Sequence, residues 1–368
     1  MKTESLIGLD LRMWAHPGIG RYIRELFGAM FRLENPERFL YLAYDEDASS
    51  IQVSLKGGKR IRSRAKIYSL SEQAELSNFS LKVGLLHVPH FNAPFFSQAK
   101  LVVTVHDLIY LKEKRFSGSL LAKQYVRGLL GGIQKNARKV IAVSDFTRRD
   151  LEASFPALKG RIRVVYEAAS KKFGALSQAE ADASPKEFGL KDDYIIFVGS
   201  LKAHKNLPVL LDAFESLRAE GKISAQLAII GRKDPKETAL LHRLEKSGDS
   251  VRYLGQQPDA VLAALYRGAS ALVIPSLWEG FGLTAVEAMA CGTPVISSDR
   301  ASLPEVVGEA GLLFDPENTE KLKEHLYNVL TDGALRETLS RKGLERAKRF
   351  SWEKAASETL QIYREAMK

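Results

Sequence analysis

Pro275-Ser-Leu-Trp-Glu-Gly-Phe-Gly-Leu-Thr-Ala-Val-Glu-Ala-Met-Ala-Cys-Gly-Thr-Pro294 is the stretch whose reading decides the fold. The apolar run Ala271–Ile274 before it reads as a buried strand, and Thr293–Ser297 after it reads as the next one. Between them a Gly-rich turn opens a helix. Strand, loop, helix, strand is the unit from which parallel sheets are built. The loop stands at a strand's carboxyl end, where open α/β sheets bind ligands. The amides of Gly282, Leu283 and Thr284 at the helix start lack intrahelical acceptors and can hold an anion. Glu287, one turn in, can accept two hydrogen bonds from a vicinal diol such as a ribose. Glu279, in the loop, can reach a second polyol. An anion site between two diol sites describes a nucleotide-sugar pocket.

The same alternation runs outward in both directions. Leu6–Leu11, Arg38–Ala43, Lys66–Tyr68, Leu85–Val88, Leu101–Val105 and Lys139–Val143 are predicted strands. Ile23, Leu26, Phe27, Met30 and Phe31 have helical spacing, as do the apolar residues of Ser119–Asn136. Ser144 is placed to cap a helix over Phe146–Ser154. The Ala-, Ser- and Lys-rich stretch Lys171–Leu190 lacks strand character and reads as an interdomain linker. The pattern then restarts with strands at Tyr194–Val198, Ala225–Ile230 and Tyr253–Gly255 and helices at Leu207–Arg218 and Val261–Arg267. Helices over Thr319–Thr331, Ala334–Arg349 and Trp352–Met367 follow, the last capped by Ser351. The expected fold class is α/β, with two doubly wound parallel-sheet domains whose facing strand ends form one cleft. The domains are placed at residues 1–180 and 181–350, with 351–368 a helix returning to the first.

Composition narrows the classes. A chain of 368 residues is long enough for two cores. No apolar run approaches the ~20 residues of a membrane span, and no secretory leader is recognisable, so the expected location is cytoplasmic. The single Cys291 excludes an internal disulfide. The net charge of +10 is concentrated: residues 1–190 carry 30 Lys+Arg against 19 Asp+Glu, and residues 191–368 carry 24 against 25. The basic half is either a solvated surface or a docking face for an acidic partner, such as an anionic membrane, through clusters at Lys56–Lys66 and Lys112–Arg115. No nucleic-acid-binding pattern is present, so no nucleic acid is expected as a partner.

Four further constellations carry chemistry. Gly199-Ser-Leu-Lys-Ala-His-Lys-Asn-Leu207 ends a strand in a loop bearing Lys202, His204 and Lys205, point charges suited to a diphosphate. Gly18-Ile-Gly20, within Asp10–Tyr22, allows close backbone approach to an anion at a helix start. It lacks the third Gly and the acidic residue of a dinucleotide fingerprint, which disfavours a dehydrogenase. His106 and Asp107 end a strand of the first domain, where a ring could bond a sugar hydroxyl or be a core histidine. His87 and His90 form an acceptor-side candidate, since no third ligand at useful spacing supports a metal. Asp45-Glu-Asp47 imitates a metal-binding triplet, but sits in a polar loop after a short strand and is read as a chance match.

Together these residues resemble the retaining GT-B glycosyltransferases of family 4, in particular the bacterial mannosyltransferase-like branch. The resemblance rests on Glu279-x7-Glu287 joined to Ala301-Ser-Leu-Pro-Glu-Val-Val-Gly308 and Gly311-Leu-Leu-Phe-Asp-Pro316. Gly18-Ile-Gly-Arg-Tyr22, Val105-His-Asp-Leu108 and Val143-Ser144 also match. It implies a metal-free, cofactor-free hexose transfer from a nucleotide-sugar donor, most simply GDP-mannose, to a saccharide or lipid-linked saccharide acceptor in cell-surface polysaccharide synthesis. Glu287 would hold the ribose and Glu279 the donor sugar. Lys205 would neutralise the diphosphate, with Gly199 and Ser200 beside it, and the amides of Phe281, Gly282 and Leu283 would reach sugar and phosphate. Tyr253 and Leu254 would border the base, Gly20 with Gly18 would approach the phosphate, and His106 with Asp107 would serve the sugar. Much of the family has Arg where this chain has Ser200, and the mannosyltransferase-like branch often has Arg where it has His204. The alternatives are a UDP- or ADP-linked donor, or a non-catalytic nucleotide-sugar-binding module.

Overall fold

A computed structural model describes residues 5–112, 120–174 and 185–368. The chain divides into two compact units, Met1–Glu167 with Ser351–Lys368, and Ala168–Phe350. The division therefore falls ahead of the stretch expected to be the linker. Lys171–Gly174 is a helical turn of the second unit whose Phe173 is fully buried, ring against Tyr266. Residues 175–184 of that stretch lie outside the described residues.

The first unit holds seven strands: β1 Ile7–Asp10, β2 Phe39–Ala43, β3 Lys59–Arg62, β4 Leu85–Val88, β5 Lys100–Val105, β6 Ala137–Ala142 and β7 Ile162–Val164. Their order is β3-β2-β1-β4-β5-β6-β7, and every pairing is parallel. The second holds β8 Tyr194–Val198, β9 Gln226–Ile230, β10 Val251–Gly255, β11 Ala271–Ile274, β12 Val295–Ser298 and β13 Gly311–Phe314. Their order is β10-β9-β8-β11-β12-β13, again all parallel. Both are Rossmann-like sheets. Central strands buried on both faces need continuous apolar runs, and Leu101–Val103, Tyr194–Phe197 and Ala271–Ile274 supply them. Helices cover the second sheet with residues such as Leu210, Phe214 and Leu326.

One expectation is corrected here. Lys66–Tyr68 is no strand but a turn into the helix Leu70–Ser80, whose N-cap Ser69 accepts from the Glu72 amide. The strand β3 lies earlier, at Lys59–Arg62, and pairs with Leu40–Ala43. It is an edge strand of Lys-Arg-Ile-Arg, where charge discourages pairing with another chain. Two members of the basic cluster Lys56–Lys66 lie on this strand. Arg60 and Arg62 both bind Asp45, at 3.0 and 2.7 Å, which also occupies one arm of the chance acidic triplet. Residues 113–115 of the second basic cluster lie outside the described residues. Among the described residues, no helix is long and apolar enough to cross a membrane.

The helix Trp352–Met367 belongs to the first unit, capped by Ser351, which accepts from the Lys354 amide. Its Trp352 meets Tyr22 of the helix Ile19–Leu33 edge-on, with ring centres 5.9 Å apart. Its Tyr363 hydroxyl lies 2.5 Å from His87 Nδ1 on β4. His87 Nε2 lies 2.8 Å from the Thr104 hydroxyl, which also meets the Tyr22 hydroxyl at 2.9 Å. His87 is wholly buried, and burial, with the charge of His106 adding to it, pulls its pKa down to about 3. The structure therefore assigns His87 to the joint between sheet and C-terminal helix. It is not available to an acceptor.

Candidate active site

In each sheet the strand order reverses once, between β1 and β4 and between β8 and β11. At such a switch point the loops leaving adjacent strands diverge and open a crevice at their carboxyl ends. In the second unit those loops are Gly199–Asn206 after β8 and Pro275–Gly282 after β11, the two stretches singled out in the sequence.

The loops are tied together. The Leu277 amide donates to the His204 carbonyl at 2.8 Å, and Lys205 Nζ donates to Glu279 Oε1 at 2.6 Å. The Ser276 hydroxyl donates to the same Oε1 at 2.7 Å. Ser302 Oγ lies 2.9 and 2.8 Å from the carbonyls of Glu279 and Phe281, and Ser298 donates to the Ser276 carbonyl at 2.6 Å. Burial pushes the Glu279 carboxyl up, but Lys205, His204 and Ser276 outweigh it and hold it below its ordinary value. His204 behaves oppositely. Burial first, then the charge of Lys205, pulls it down to about 4, so at neutral pH it carries no charge and adds none to the clamp. The cationic group facing Glu279 is thus Lys205, with Lys202 half-buried on the same loop and Arg232 exposed after β9. Gly199 lies against the aliphatic stem of Lys205.

Gly282 is the N-cap of the helix Leu283–Ala290, with a left-handed φ of 100° and no side-chain cap. A Cβ there would meet Leu303 Cδ2 at 2.7 Å. The Phe281 side chain is buried edge-on against Phe350, so only its backbone can serve a ligand. Glu287 stands five residues into this helix and is almost wholly buried. At the same carboxyl edge, two strands from β8, the Tyr253 hydroxyl donates to the Gly231 carbonyl at 2.8 Å and the Leu254 carbonyl accepts from Gln257. Ser200, Glu279, Gly282, Glu287, Tyr253 and Leu254 are therefore all presented by one unit, Glu287 from the helix Leu283–Ala290 and the others from loops and strand ends on one sheet edge.

In the first unit, Gly18 is the N-cap of Ile19–Leu33, and a Cβ there would meet nothing within 4 Å. At Gly20 a Cβ would lie 2.3 Å from the Trp14 carbonyl oxygen, so packing of the loop alone already demands glycine. His106 Nδ1 donates to Glu167 at 3.1 Å and Nε2 donates to the Pro89 carbonyl at 3.0 Å. The Pro89 carbonyl only accepts, and so does the Glu167 carboxylate when ionised, so the pair of contacts suits a ring protonated at both nitrogens. Burial pulls the group down, but Glu167 outweighs it and the net shift is upward from 6.5. Neither nitrogen is left for a sugar in this arrangement. Asp107 accepts from the Ile109 amide at 3.0 Å at the start of a short helix. Sequence reasoning missed Glu167, 61 residues from His106 and in no recognisable motif, and the serine pins at 276, 298 and 302.

The raised His106 pKa has a sign. Its stabilisation is fully present below the unfolded value near 6.5 and is lost as pH rises through the folded value. The difference in Tm between the protein and its His106→Gln variant is expected to be largest at about pH 6 and to shrink toward about pH 9. The depressed His87 and His204 act in the opposite direction but cancel in that difference. A difference that stayed constant or grew with pH would contradict the imidazolium–carboxylate assignment.

Comparison with known proteins bears on the family and the fold. The model of the glycosyl transferases group 1 matches residues 179–346, and that of glycosyltransferase family 4 matches residues 18–169. The chain is 32% identical over 283 residues to the O-antigen chain mannosyltransferase B of Escherichia coli, covering 76% of this chain and 74% of that protein. It is 28% identical over 276 residues to the serotype-specific mannosyltransferase WbdA of Escherichia coli, spanning only 33% of that longer relative. Among solved structures, sucrose-phosphate synthase from Thermosynechococcus elongatus superposes with a TM-score of 0.78 at 23% identity, covering 98% of each chain. WaaG, a glycosyltransferase involved in lipopolysaccharide biosynthesis, gives 0.76 at 15% identity, covering 97% of this chain and 99% of that one. These structural likenesses speak to the fold. The chain belongs to the family 4 glycosyltransferases of GT-B fold.

Proposed function

We propose that the chain transfers mannose from GDP-mannose to a saccharide hydroxyl, free or lipid-carried, in the building of a surface polysaccharide, with retention at the anomeric carbon and without a metal. The observation that carries this reading is the Lys205–Glu279 pair at the β8/β11 switch point, beside an uncapped helix start at Gly282. Departure of a nucleoside diphosphate builds charge on its β-phosphate, and preorganised donors at that point contribute most to the rate. Lys205 supplies a cation there and the first amides of Leu283–Ala290 supply donors. Glu287 takes the ribose diol. Glu279 orients the sugar and does not attack it, and the acceptor hydroxyl enters on the face the phosphate leaves, giving its proton to a phosphate oxygen. The names of the two Escherichia coli relatives support mannose as the sugar. No group of three or more His, Cys, Asp or Glu side chains that could hold a metal was found among the described residues. Retention and metal independence rest on the family resemblance.

A thermal-shift series with GDP, UDP and ADP, with and without EDTA, tests the proposal. Ligand at about 100 times its Kd adds about 2.7 kcal/mol of stability. A GDP-selective shift that survives EDTA is expected. A UDP- or ADP-selective shift would replace the donor, and loss of the shift in EDTA would remove the metal-free mechanism. No shift with any of the three would mean that the clamp reduced at Ser200 and His204 costs the donor its affinity, and would put the non-catalytic module ahead of the transferase.

A further inference from the structure

A second polar cluster stands at the carboxyl ends of β1 and β4, the switch point of the first sheet, and the reaction as proposed leaves it unused. Arg12 is gripped by Asp10 through Nε at 2.8 Å and Nη2 at 2.6 Å, and the same Nη2 reaches Glu72 at 2.9 Å. Glu72 also accepts from Asn92 Nδ2 and from the Tyr68 amide, each at 2.6 Å. The Tyr68 hydroxyl lies 2.6 Å from His90 Nε2. Asp10, Arg12, Glu72, His90 and Asn92 are all at least nine-tenths buried. Nevertheless Arg12 Nη1, His90 Nδ1 and Asn92 Oδ1 have no hydrogen-bond partner among the described residues. Buried side-chain polar atoms are overwhelmingly paired, so three orphans in one connected cluster call for an explanation beyond folding.

The chemistry of the cluster selects its ligand. Arg12 Nη1 can only donate and Asn92 Oδ1 can only accept, while a neutral imidazole does one at each nitrogen. A hydroxyl both donates and accepts and fits such a set, whereas a phosphate only accepts. The fixed charges point the same way, with two carboxylates, Asp10 and Glu72, against one guanidinium. Tyr68, 45% exposed, borders the cluster, its ring centre 6.1 Å from that of His90 and 6.2 Å from that of Phe91. A half-exposed aromatic ring beside polar atoms suits a pyranose, which has an apolar face and a polar rim. Tyr68 also holds a left-handed φ of 63°, an outlier for a bulky residue and one that persists where ligands are clamped.

We propose that Tyr68, His90, Asn92 and Arg12 form the subsite for an uncharged sugar unit of the acceptor, with the Tyr68 ring as the cover that moves aside to let a sugar hydroxyl reach the buried atoms. The proposal rests on the transferase reading and narrows it, because it selects a neutral glycoside over a phosphorylated sugar. It uses residues of the first unit alone.

Saturation-transfer NMR on the full chain, titrated with methyl α-D-mannopyranoside and separately with mannose 6-phosphate, tests it. The uncharged glycoside is expected to give transfer and the phosphate to bind more weakly. Asn92→Ala is expected to raise the Kd of the glycoside about tenfold, the loss of one hydrogen bond, with the nucleotide thermal shift unchanged. Because Asn92 also braces Glu72, Tyr68→Ala, at a half-exposed position, serves as the second variant and is expected to weaken the glycoside severalfold. A preserved nucleotide shift with no glycoside transfer, tighter binding of the phosphate, or wild-type affinity in the folded variants would each overturn the subsite while leaving the transferase reading standing. Absence of a nucleotide shift in the wild-type chain would overturn both.

Discussion

Replacing Glu279 by Gln is expected to lower kcat about 10²-fold or more while leaving affinity for the free nucleoside diphosphate unchanged or raised. The two effects separate because Glu279 faces two ways. In the unliganded protein its carboxylate neutralises Lys205 at 2.6 Å and is itself fixed by Ser276. A diphosphate that draws on Lys205 must compete with that carboxylate, so removing the negative charge releases the lysine to the nucleotide. The amide keeps the shape and the Ser276 contact but orients the donor sugar less well, and misplacement of a reacting group by a small distance costs on the order of 10² in rate. Because Lys205 holds Glu279 below its ordinary value, the carboxylate is ionised at neutral pH and the substitution removes a full charge. Steady-state kinetics with calorimetric binding of GDP checks both halves. Weakened GDP binding in the variant would mean that Glu279 assists the diphosphate rather than competing with it. Trapping of a covalent glycosyl-enzyme on another residue would remove the orienting role.

Gly231→Ala is expected to cost more than about 3 kcal/mol and to be the most damaging single methyl group in the second unit. The residue directly follows β9 with φ 146°, and a Cβ there would lie 1.8 Å from the carbonyl oxygen of Gly199. The obstacle is backbone, and that backbone begins the Lys205 loop. Relief would have to part the ends of β8 and β9 and shift the Gly231 amide from the Gly255 carbonyl it meets at 2.8 Å. Gly221→Ala is the control. Its φ of 69° is also left-handed, but a Cβ there would meet nothing within 4 Å, so only the local conformational penalty of about 1–2 kcal/mol applies. Urea denaturation of the two variants, followed by a probe of the second unit, should show a large drop in midpoint for Gly231→Ala and a small one for Gly221→Ala. Equal midpoints would mean that the β8 and β9 ends yield easily, and the site would be softer than its hydrogen bonds suggest.

The second sheet was almost fully legible because its central strands are continuous apolar runs closed by Gly or Pro. Ala271–Ile274 and Tyr194–Val198 needed no tertiary information. β3 was not legible, since Lys-Arg-Ile-Arg carries no burial pattern and becomes a strand only because β2 offers it an edge. The pairing of the two donor-side loops followed from strand alternation, but what pins them did not, because Ser298 and Ser302 act through single hydroxyl bonds to carbonyls in another loop. His87 shows a signal that was available and unused. It lies within Leu85-Leu86-His87-Val88, and a strand with no exposed position leaves a histidine no route to solvent. His106 could not be read further than a strand end, since its partner Glu167 is brought to it by the fold alone.

The first unit is not continuous in the chain, because the helix Trp352–Met367 that completes it is translated only after the whole of the second unit. Until Tyr363 leaves the ribosome, His87 and Thr104 have no phenolic hydroxyl to complete their chain of hydrogen bonds, and Trp352 has yet to cover Tyr22. The second unit, continuous from Ala168 to Phe350, has all its sequence beforehand. Domains generally fold from the N-terminus during synthesis, but here the first begun is the last that can be finished. The side chains that receive Trp352–Met367, Tyr22 and His87 among them, therefore wait for that helix until all of Ala168–Phe350 has been made.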